Sequence, residues 1–253
     1  MKPLILISND DGYAARGLHT LSRVAKEFGD VVVMAPVSNA SGQSHSITTT
    51  RPLRVHEVDL MDGVEAYACD GTPVDCVKLA TEYFCPRRPD LVLSGINHGS
   101  NSSINVLYSG TMGAVVEASA LGINAVGFSL LSHSPQADFE PSVSYVRHII
   151  GYVLEHGLPA DTSLNVNIPR LDADHIRGIR VCRAAKSQWL DSYEKRIDPQ
   201  GRPYWWLTGT FSCDNPSEGC DEWALANGYV SVVPIHVDFT HMGVMGTLRG
   251  MEI

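Results

Sequence analysis

The sequence predicts an α/β protein with a doubly wound, mostly parallel sheet between helices and a C-terminal β-rich arm. Up to about residue 170, short β-branched runs alternate with amphipathic stretches, which is typical of a parallel sheet covered by helices. Beyond Pro169 this periodicity weakens. Hydrophobic residues make up 44% of the 253-residue chain, which is enough for a packed core. We therefore expect a core over residues 1–180 and an appendage over residues 181–253.

Five core strands are predicted where short apolar or β-branched runs lie between turn residues. They cover residues 4–7, 31–35, 91–93, 125–128 and 164–168. Alternation is looser over residues 53–70, around Gly63, which indicates a hairpin inserted into the winding. Three further strands are predicted beyond Pro169, over residues 176–181, 204–207 and 229–233.

Four helices are predicted where apolar residues recur at helical spacing between these strands. They contain residues 18–28, 72–84, 111–121 and 143–154. Gly29, Gly122 and Gly157 follow three of them as stop signals. The helix at 72 has the clearest start, because Thr72, Pro73 and Asp75 occupy the N-cap, N1 and N3 positions.

Charge and composition exclude several classes of protein. The 28 acidic and 19 basic residues give a net charge of −9, which repels a phosphate backbone, so duplex nucleic acid is not an expected partner. The first apolar run covers only residues 4–7 and is soon followed by Asp10 and Asp11, which makes it too short for a signal peptide. No segment is long enough for a membrane helix. We expect a cytoplasmic protein. The six cysteines contain no Cys-x-x-Cys pair, although Cys213 and Cys220 could pair in an oxidising compartment.

Small polar residues follow three of the predicted core strands, at the edge where open α/β sheets bind ligands. Ser8-Asn9-Asp10-Asp11-Gly12 follows the first strand, Asn39-Ala40-Ser41-Gly42 the second and Ser94-Gly95-Ile96-Asn97 the third. Asp10 and Asp11 can converge only at a turn, which Gly12 permits, and they would then repel each other without a cation. Such oxygen donors suit Mg²⁺, Mn²⁺ or Ca²⁺. The alternative is a capped turn before the first helix.

A second polar segment, Tyr108-Ser109-Gly110-Thr111, opens a predicted helix. Hydroxyl groups and free backbone amides at a helix N-terminus can bind an anion, although ordinary helix capping uses the same residues. No P-loop or dinucleotide fingerprint is present in the sequence. Phosphomonoester hydrolysis requires accelerations of up to ~10²¹-fold, whereas one oriented donor contributes ~2.7–4 kcal/mol. A cation beside a phosphate cradle therefore favours hydrolysis over binding alone.

These segments together resemble the SurE family, the stationary-phase survival protein E group of metal-dependent nucleotidases. The resemblance also covers Gly71-Thr72-Pro73-Val74-Asp75-Cys76 and His236-Val237-Asp238, so it spans nearly the whole chain in order. It implies a Rossmann-like, three-layer α/β/α core and hydrolysis of nucleoside 5′- and 3′-monophosphates. It also implies one divalent cation per subunit, Mg²⁺ or Mn²⁺ (Ca²⁺ in a crystal), held by Asp10, Asp11, Ser41 and Asn97.

The remaining roles are a mechanistic hypothesis built on that cation site. Asp11, or else Asp10, would act as general base, and the phosphate oxygens would be held by Asn9, Gly42, Asn101, Ser109, Gly110 and Thr111. His98 is a candidate proton donor, with a rim residue as the alternative. Where relatives usually carry glycine and acidic residues after Asn101, this chain has Ser102, Ser103 and Asn105, which affects substrate preference.

The appendage is rich in aromatic residues, namely Trp189, Tyr193, Tyr204, Trp205, Trp206 and Trp223. They could form a subunit interface or a local core. The resemblance favours a homodimer or homotetramer built through this C-terminal arm. Two functional alternatives remain, a broader phosphatase of small phosphoesters or polyphosphate and a non-catalytic nucleotide-binding module.

Overall fold

A nine-stranded sheet forms the centre of the molecule in the computed structural model, which describes residues 2–252. The strands in chain order are β1 (Leu4–Ser8), β2 (Asp30–Pro36), β3 (Val55–Glu57), β4 (Glu65–Cys69), β5 (Leu91–His98), β6 (Asn124–Leu130), β7 (Thr162–Ile168), β8 (Ile179–Val181), β9 (Gln188–Ile197), β10 (Pro203–Ser212) and β11 (Val230–His236). The central sheet has the order β3-β4-β2-β1-β5-β6-β7-β11-β8, and β9 pairs only with β10. Six neighbouring strands of this sheet are mutually parallel, namely β4, β2, β1, β5, β6 and β7.

Helices cover both faces of this sheet. They are α1 (Arg16–Ala25), α2 (Pro73–Leu79), α3 (Gly110–Ala120), α4 (Val143–His156), α5 (Asp221–Ala226) and α6 (Met242–Leu248). One apolar cluster packs α1 and α4 against one face of the sheet, through residues such as Leu21 and Ile150. The other packs α2 and α3 against the opposite face, through residues such as Val77 and Val115. The predicted three-layer α/β/α arrangement is confirmed.

The sequence placed two helix boundaries differently from the structure. Helix α1 ends at Ala25 rather than Phe28. The helix predicted over residues 72–84 is α-helical only to Leu79 and continues as a π-helix over Ala80–Phe84. Its start is as predicted, because the Thr72 hydroxyl accepts from the Asp75 amide and the Asp75 carboxylate accepts from the Thr72 amide.

The C-terminal third divides between the central sheet and a separate hairpin. Strand β11 pairs antiparallel with β7 and parallel with β8, so the sheet continues past residue 180. The domain boundary at that residue stays a prediction. The hairpin of β9 and β10 is exposed along almost its entire length, and β9 was missing from the predicted strands.

The aromatic residues of this region fall into two groups. Trp223 stacks on Tyr229, with 6.3 Å between ring centroids, and packs on a small cluster around Cys182. This residue therefore belongs to a local core. Trp205 and Trp206 are more than half exposed on the hairpin.

No helix within residues 2–252 is long and apolar enough to cross a membrane. All six cysteines, including Cys213 and Cys220, are free thiols.

Candidate functional site

A turn stabilised by Asn9 places two aspartates directly after β1. The Asn9 side chain donates to Gly12 O (2.9 Å) and accepts from the Gly12 amide (3.2 Å). Gly12 has a φ of +99°, which a residue with a Cβ rarely adopts. The chain therefore reverses immediately after Asp10 and Asp11, as the sequence required for the two carboxylates to converge.

The Asp10 side chain is buried and held by the start of α3. Its Oδ1 accepts a hydrogen bond from the Thr111 hydroxyl (2.6 Å). Burial raises the pKa of Asp10, while hydrogen bonds from Thr111 and from the Gly110 amide partly oppose the rise. The residue also holds the next loop, because Asp10 O accepts from the Ala40 amide (2.7 Å).

Asp11 is half-buried and points toward the end of β5. Its Oδ2 accepts from the His98 amide (3.1 Å). Burial raises the pKa of this carboxyl, and the neighbouring charge of Asp10 raises it further. No ion pair within residues 2–252 involves either aspartate. The two adjacent carboxylates thus interact with each other without an ion-pair partner in the described residues, and the neighbouring His98 side chain lowers the pKa of Asp11 only in part.

An irregularity in β5 brings Asn97 to the same place. The pairing of β5 with β6 shifts register between Ser94 and Asn97. Gly95 lies in this shift with a φ of +124°, and a Cβ there would come within 2.3 Å of Phe128 O. The side-chain nitrogen Nδ2 of Asn97 donates to Gly99 O (2.9 Å), so the side-chain oxygen Oδ1 is the atom available to a cation.

The turn after β1 and the end of β5 lie where the strand order reverses. From β1 the chain winds outward to β2, and it later returns to form β5 on the other side of β1. Ligands of open α/β sheets bind at such a reversal point, beyond the carboxyl ends of the strands.

A cavity of about 590 Å³ opens at this point. Six of the predicted site residues line it, namely Asp10, Ser41, Gly42, Asn97, Asn101 and Ser109. Ser41 and Gly42 lie in an exposed loop where the Asn39 side chain accepts from the Ser41 amide (2.8 Å). The carboxylate, hydroxyl and amide oxygens around the cavity are the donors that hard divalent cations prefer. The chain's own residues therefore fit such a cation, with no cluster of three or more His, Cys, Asp or Glu side chains within residues 2–252.

Asp11 and three residues expected to hold phosphate do not line the cavity. Asn9 uses its amide group to close the turn, as described above. Gly110 and Thr111 face Asp10 instead, so the start of α3 already has a carboxylate beside its dipole. Ser109 does reach the cavity, although its hydroxyl also caps α3 by accepting from the Met112 amide (3.0 Å).

Asn101 is fixed by polar residues of two buried strands. Its amide donates to Asn167 Oδ1 (2.8 Å), and its carbonyl accepts from Asn165 Nδ2 (2.7 Å). Its side chain donates to Ser129 Oγ (2.8 Å). The two asparagines of β7 were not identified from the sequence, although polar residues alternating within a central strand were a signal for them.

The cavity has further lining residues, to most of which the sequence assigned no role. His133, Tyr108 and Asn105 line it, together with Trp189, Asp191, Leu207, Thr208 and Gly209 of the hairpin. The aromatic residues of the hairpin are visible in the sequence, but no local sequence pattern indicates that the start of β9 and the end of β10 lie beside the loop after β5.

Several known proteins are similar to this chain in sequence and in overall fold. A sequence model described as Survival protein SurE matches residues 5–191. A 5′-nucleotidase SurE of Christiangramia forsetii is 53% identical over 241 residues, covering 94% of this chain and 93% of that protein. One from Flavobacterium psychrophilum is 50% identical, covering 100% and 98%. The crystal structure of the Sure protein from Aquifex aeolicus superposes with a TM-score of 0.86 at 40% identity, covering 99% of this chain and 100% of that one.

Proposed function

The chain belongs to the SurE family, and from that premise we propose that it is a 5′-nucleotidase that uses a divalent cation to release phosphate from nucleoside monophosphates. The observation that carries the proposal is the pair of adjacent carboxylates at the reversal point of the sheet, neither of which has an ion-pair partner within residues 2–252. Nucleoside 5′-monophosphates are the expected substrates; cleavage of 3′-monophosphates stays a prediction.

Asp10, Asp11, Ser41 and Asn97 would hold the cation. When bound there, a divalent cation stabilises negative charge on the phosphoryl oxygens. The Asp10 carboxylate is oriented for this by Thr111, and Asn97 by its bond to Gly99 O. Which cation serves is a further prediction, with Mg²⁺ and Mn²⁺ favoured by the oxygen donors.

Asp11 is the better candidate for the general base. It is less buried than Asp10, and within the described part of the chain only its Oδ2 accepts a hydrogen bond, from the His98 amide. Its other oxygen can accept a proton from an attacking water. His98 lines the cavity, which supports it as the candidate donor of a proton to the leaving alkoxide.

Gly42, Asn101 and Ser109 are the residues proposed to bind the phosphate directly, since each lines the cavity. Asn9, Gly110 and Thr111 would contribute indirectly, by orienting the turn and the Asp10 carboxylate. The exposed aromatic side chains of the hairpin further support assembly into a homodimer or homotetramer through this arm. The cytoplasmic location stays a prediction from the sequence.

The test is phosphate release from a nucleoside 5′-monophosphate with Mn²⁺ or Mg²⁺, measured with and without a chelator. We expect chelation to abolish turnover. Asp11→Asn should abolish it while the protein stays folded, and Asp174→Asn, at an exposed position, should leave it unchanged. Near-full activity of Asp11→Asn would remove the cation site from this account. Stabilisation by the nucleotide without turnover would identify a binding module instead.

A further inference from the structure

The cavity has a wall that the proposed hydrolytic residues do not use. Residues of the hairpin form it, and the antiparallel register explains how they come together. Trp189 pairs with Phe211, and Asp191 with Gly209. Cross-strand partners and alternate residues lie on one face of a hairpin. That face therefore brings an indole ring and a carboxylate to the cavity, and Leu207 adds an aliphatic side chain.

Trp189 is the best-held residue of this wall. Its Nε1 donates to Asn105 Oδ1 (2.8 Å), which links the hairpin to the loop after β5. Its ring meets Phe211 edge to face, with 5.7 Å between centroids. The side chain nevertheless remains 42% exposed, so the ring is fixed in orientation while part of its surface is open.

The chemistry of this wall suits the nucleoside part of a nucleotide. A flat indole surface stacks on any base, because every base has a π-face. The Asp191 carboxylate accepts hydrogen bonds from hydroxyl or amino groups but repels phosphate. The Asp10 carboxylate of the proposed cation site lines the same cavity. The cavity volume of about 590 Å³ lies within the usual range for small-molecule sites, ~300–1,000 Å³.

We propose that Trp189 stacks on the nucleobase of the substrate and thereby makes the enzyme prefer nucleotides to phosphomonoesters that lack a base. The proposal rests on the proposed nucleotidase function and names a specificity residue for it. The observation beneath it is a tryptophan held by Asn105 and Phe211 in the lining of the same cavity as Asp10 and Asn97.

The experiment compares a nucleoside 5′-monophosphate with ribose 5-phosphate, which carries the same ester without a base. Trp189→Ala should lower kcat/KM for the nucleotide by about 5- to 150-fold, the usual effect of losing one stacked base. The value for ribose 5-phosphate should stay within about twofold of the wild type. Trp206→Ala is the matched control, since Trp206 lies on the opposite face of the same hairpin, paired with Glu194, and does not line the cavity.

Trp189→Phe separates stacking from the hydrogen bond to Asn105. Phenylalanine keeps an aromatic face but cannot donate to Asn105 Oδ1, so stacking predicts that most nucleotide activity is retained. Equal losses with both esters in Trp189→Ala, or a Phe variant as poor as the Ala variant, would overturn the proposal.

Binding of the base can also be followed without turnover. A nucleoside should quench tryptophan fluorescence in the wild type and in Trp206→Ala but not in Trp189→Ala. Wild-type protein that hydrolyses neither ester would refute the proposed function, and the fluorescence titration would still decide whether Trp189 stacks. Quenching that persists in Trp189→Ala would refute the stacking itself.

Discussion

The substitution Asp221→Ala should loosen two segments that line the cavity. Asp221 is fully buried at the start of α5. Its Oδ2 accepts from the Ser103 amide (2.7 Å), in the segment that follows Asn101. Its Oδ1 accepts from the Ala185 amide (2.8 Å), at the base of the hairpin. One side chain therefore ties the loop after β5 to the segment that leads to Trp189.

The cost can be worked out from the groups left without a partner. In Asp221→Ala the amides of Ser103, Ala185 and Glu222 lose their acceptor, and the first two of these residues are buried. An unsatisfied buried donor costs about 1–3 kcal/mol, so the expected loss in the free energy of unfolding is about 2–6 kcal/mol. Asp221→Asn keeps one acceptor oxygen and should lose roughly half of that.

Thermal unfolding of the chelator-treated protein measures this loss. For a chain of this size, 1 kcal/mol corresponds to about 2–4 °C in Tm, so Asp221→Ala should melt at least about 4 °C below the wild type. Asp221→Asn should fall between the two. Asp174→Ala, an exposed aspartate, serves as the control and should not shift Tm. If Asp221→Ala melts within about 1 °C of the wild type, the carboxylate does not hold these segments together.

Two further predictions concern the aspartates after β1. Burial raises the pKa of Asp10 and Asp11 in the folded protein above their values in the unfolded chain. Between the unfolded and the folded pKa of each residue the native state therefore binds more protons than the unfolded state. The free energy of unfolding of the metal-free protein should thus fall as pH rises through the raised pKa. A divalent cation replaces those protons, so the gain in Tm from Mg²⁺ or Mn²⁺ should grow with pH; a gain that shrinks as pH rises would contradict this reasoning. Gly110→Ala should also impair catalysis, because the added Cβ would lie 2.8 Å from Asp10 Cβ and 3.2 Å from Pro73 Cγ. A displacement of the Asp10 carboxylate by about 1 Å can lower the rate ~100-fold. The control is Gly246→Ala, whose added Cβ meets no neighbouring atom and should leave kcat unchanged.

The core could be predicted because its elements are governed by local patterns. Fully buried strands such as β1 and β2 are continuous apolar runs, and the Thr72 capping box marks the start of α2 in four residues. Strand β9 could not be predicted in the same way. It is exposed on both faces, so its sequence QWLDSYEKRI carries no alternation of buried and exposed positions. Helix α6 contains two glycines in seven residues, which weakens its helical signal.

The candidate site was predictable where it consists of strand ends. Asp10, Ser41 and Asn97 line one cavity because parallel strands end at a common edge. The positions of Asn9 and Thr111 depended on competition between hydrogen-bond partners, which composition cannot rank. Each could have faced a phosphate, but Asn9 found Gly12 and Thr111 found Asp10. Trp189 required knowledge of how the hairpin docks, which rests on contacts between residues 84 positions apart.

The central sheet ends in three-residue strands, β3 on one side and β8 on the other. Short edge strands offer few unpaired backbone N–H and C=O groups, which discourages edge-to-edge pairing with strands of another molecule. The hairpin differs from these edges, because β9 and β10 have ten residues each and both of its edges are exposed. A two-stranded ribbon is only marginally stable in water by itself. Colloidal stability of this protein therefore depends on whether the ribbon is shielded, and dilution or mutation that bares it should bring on aggregation before the core itself melts.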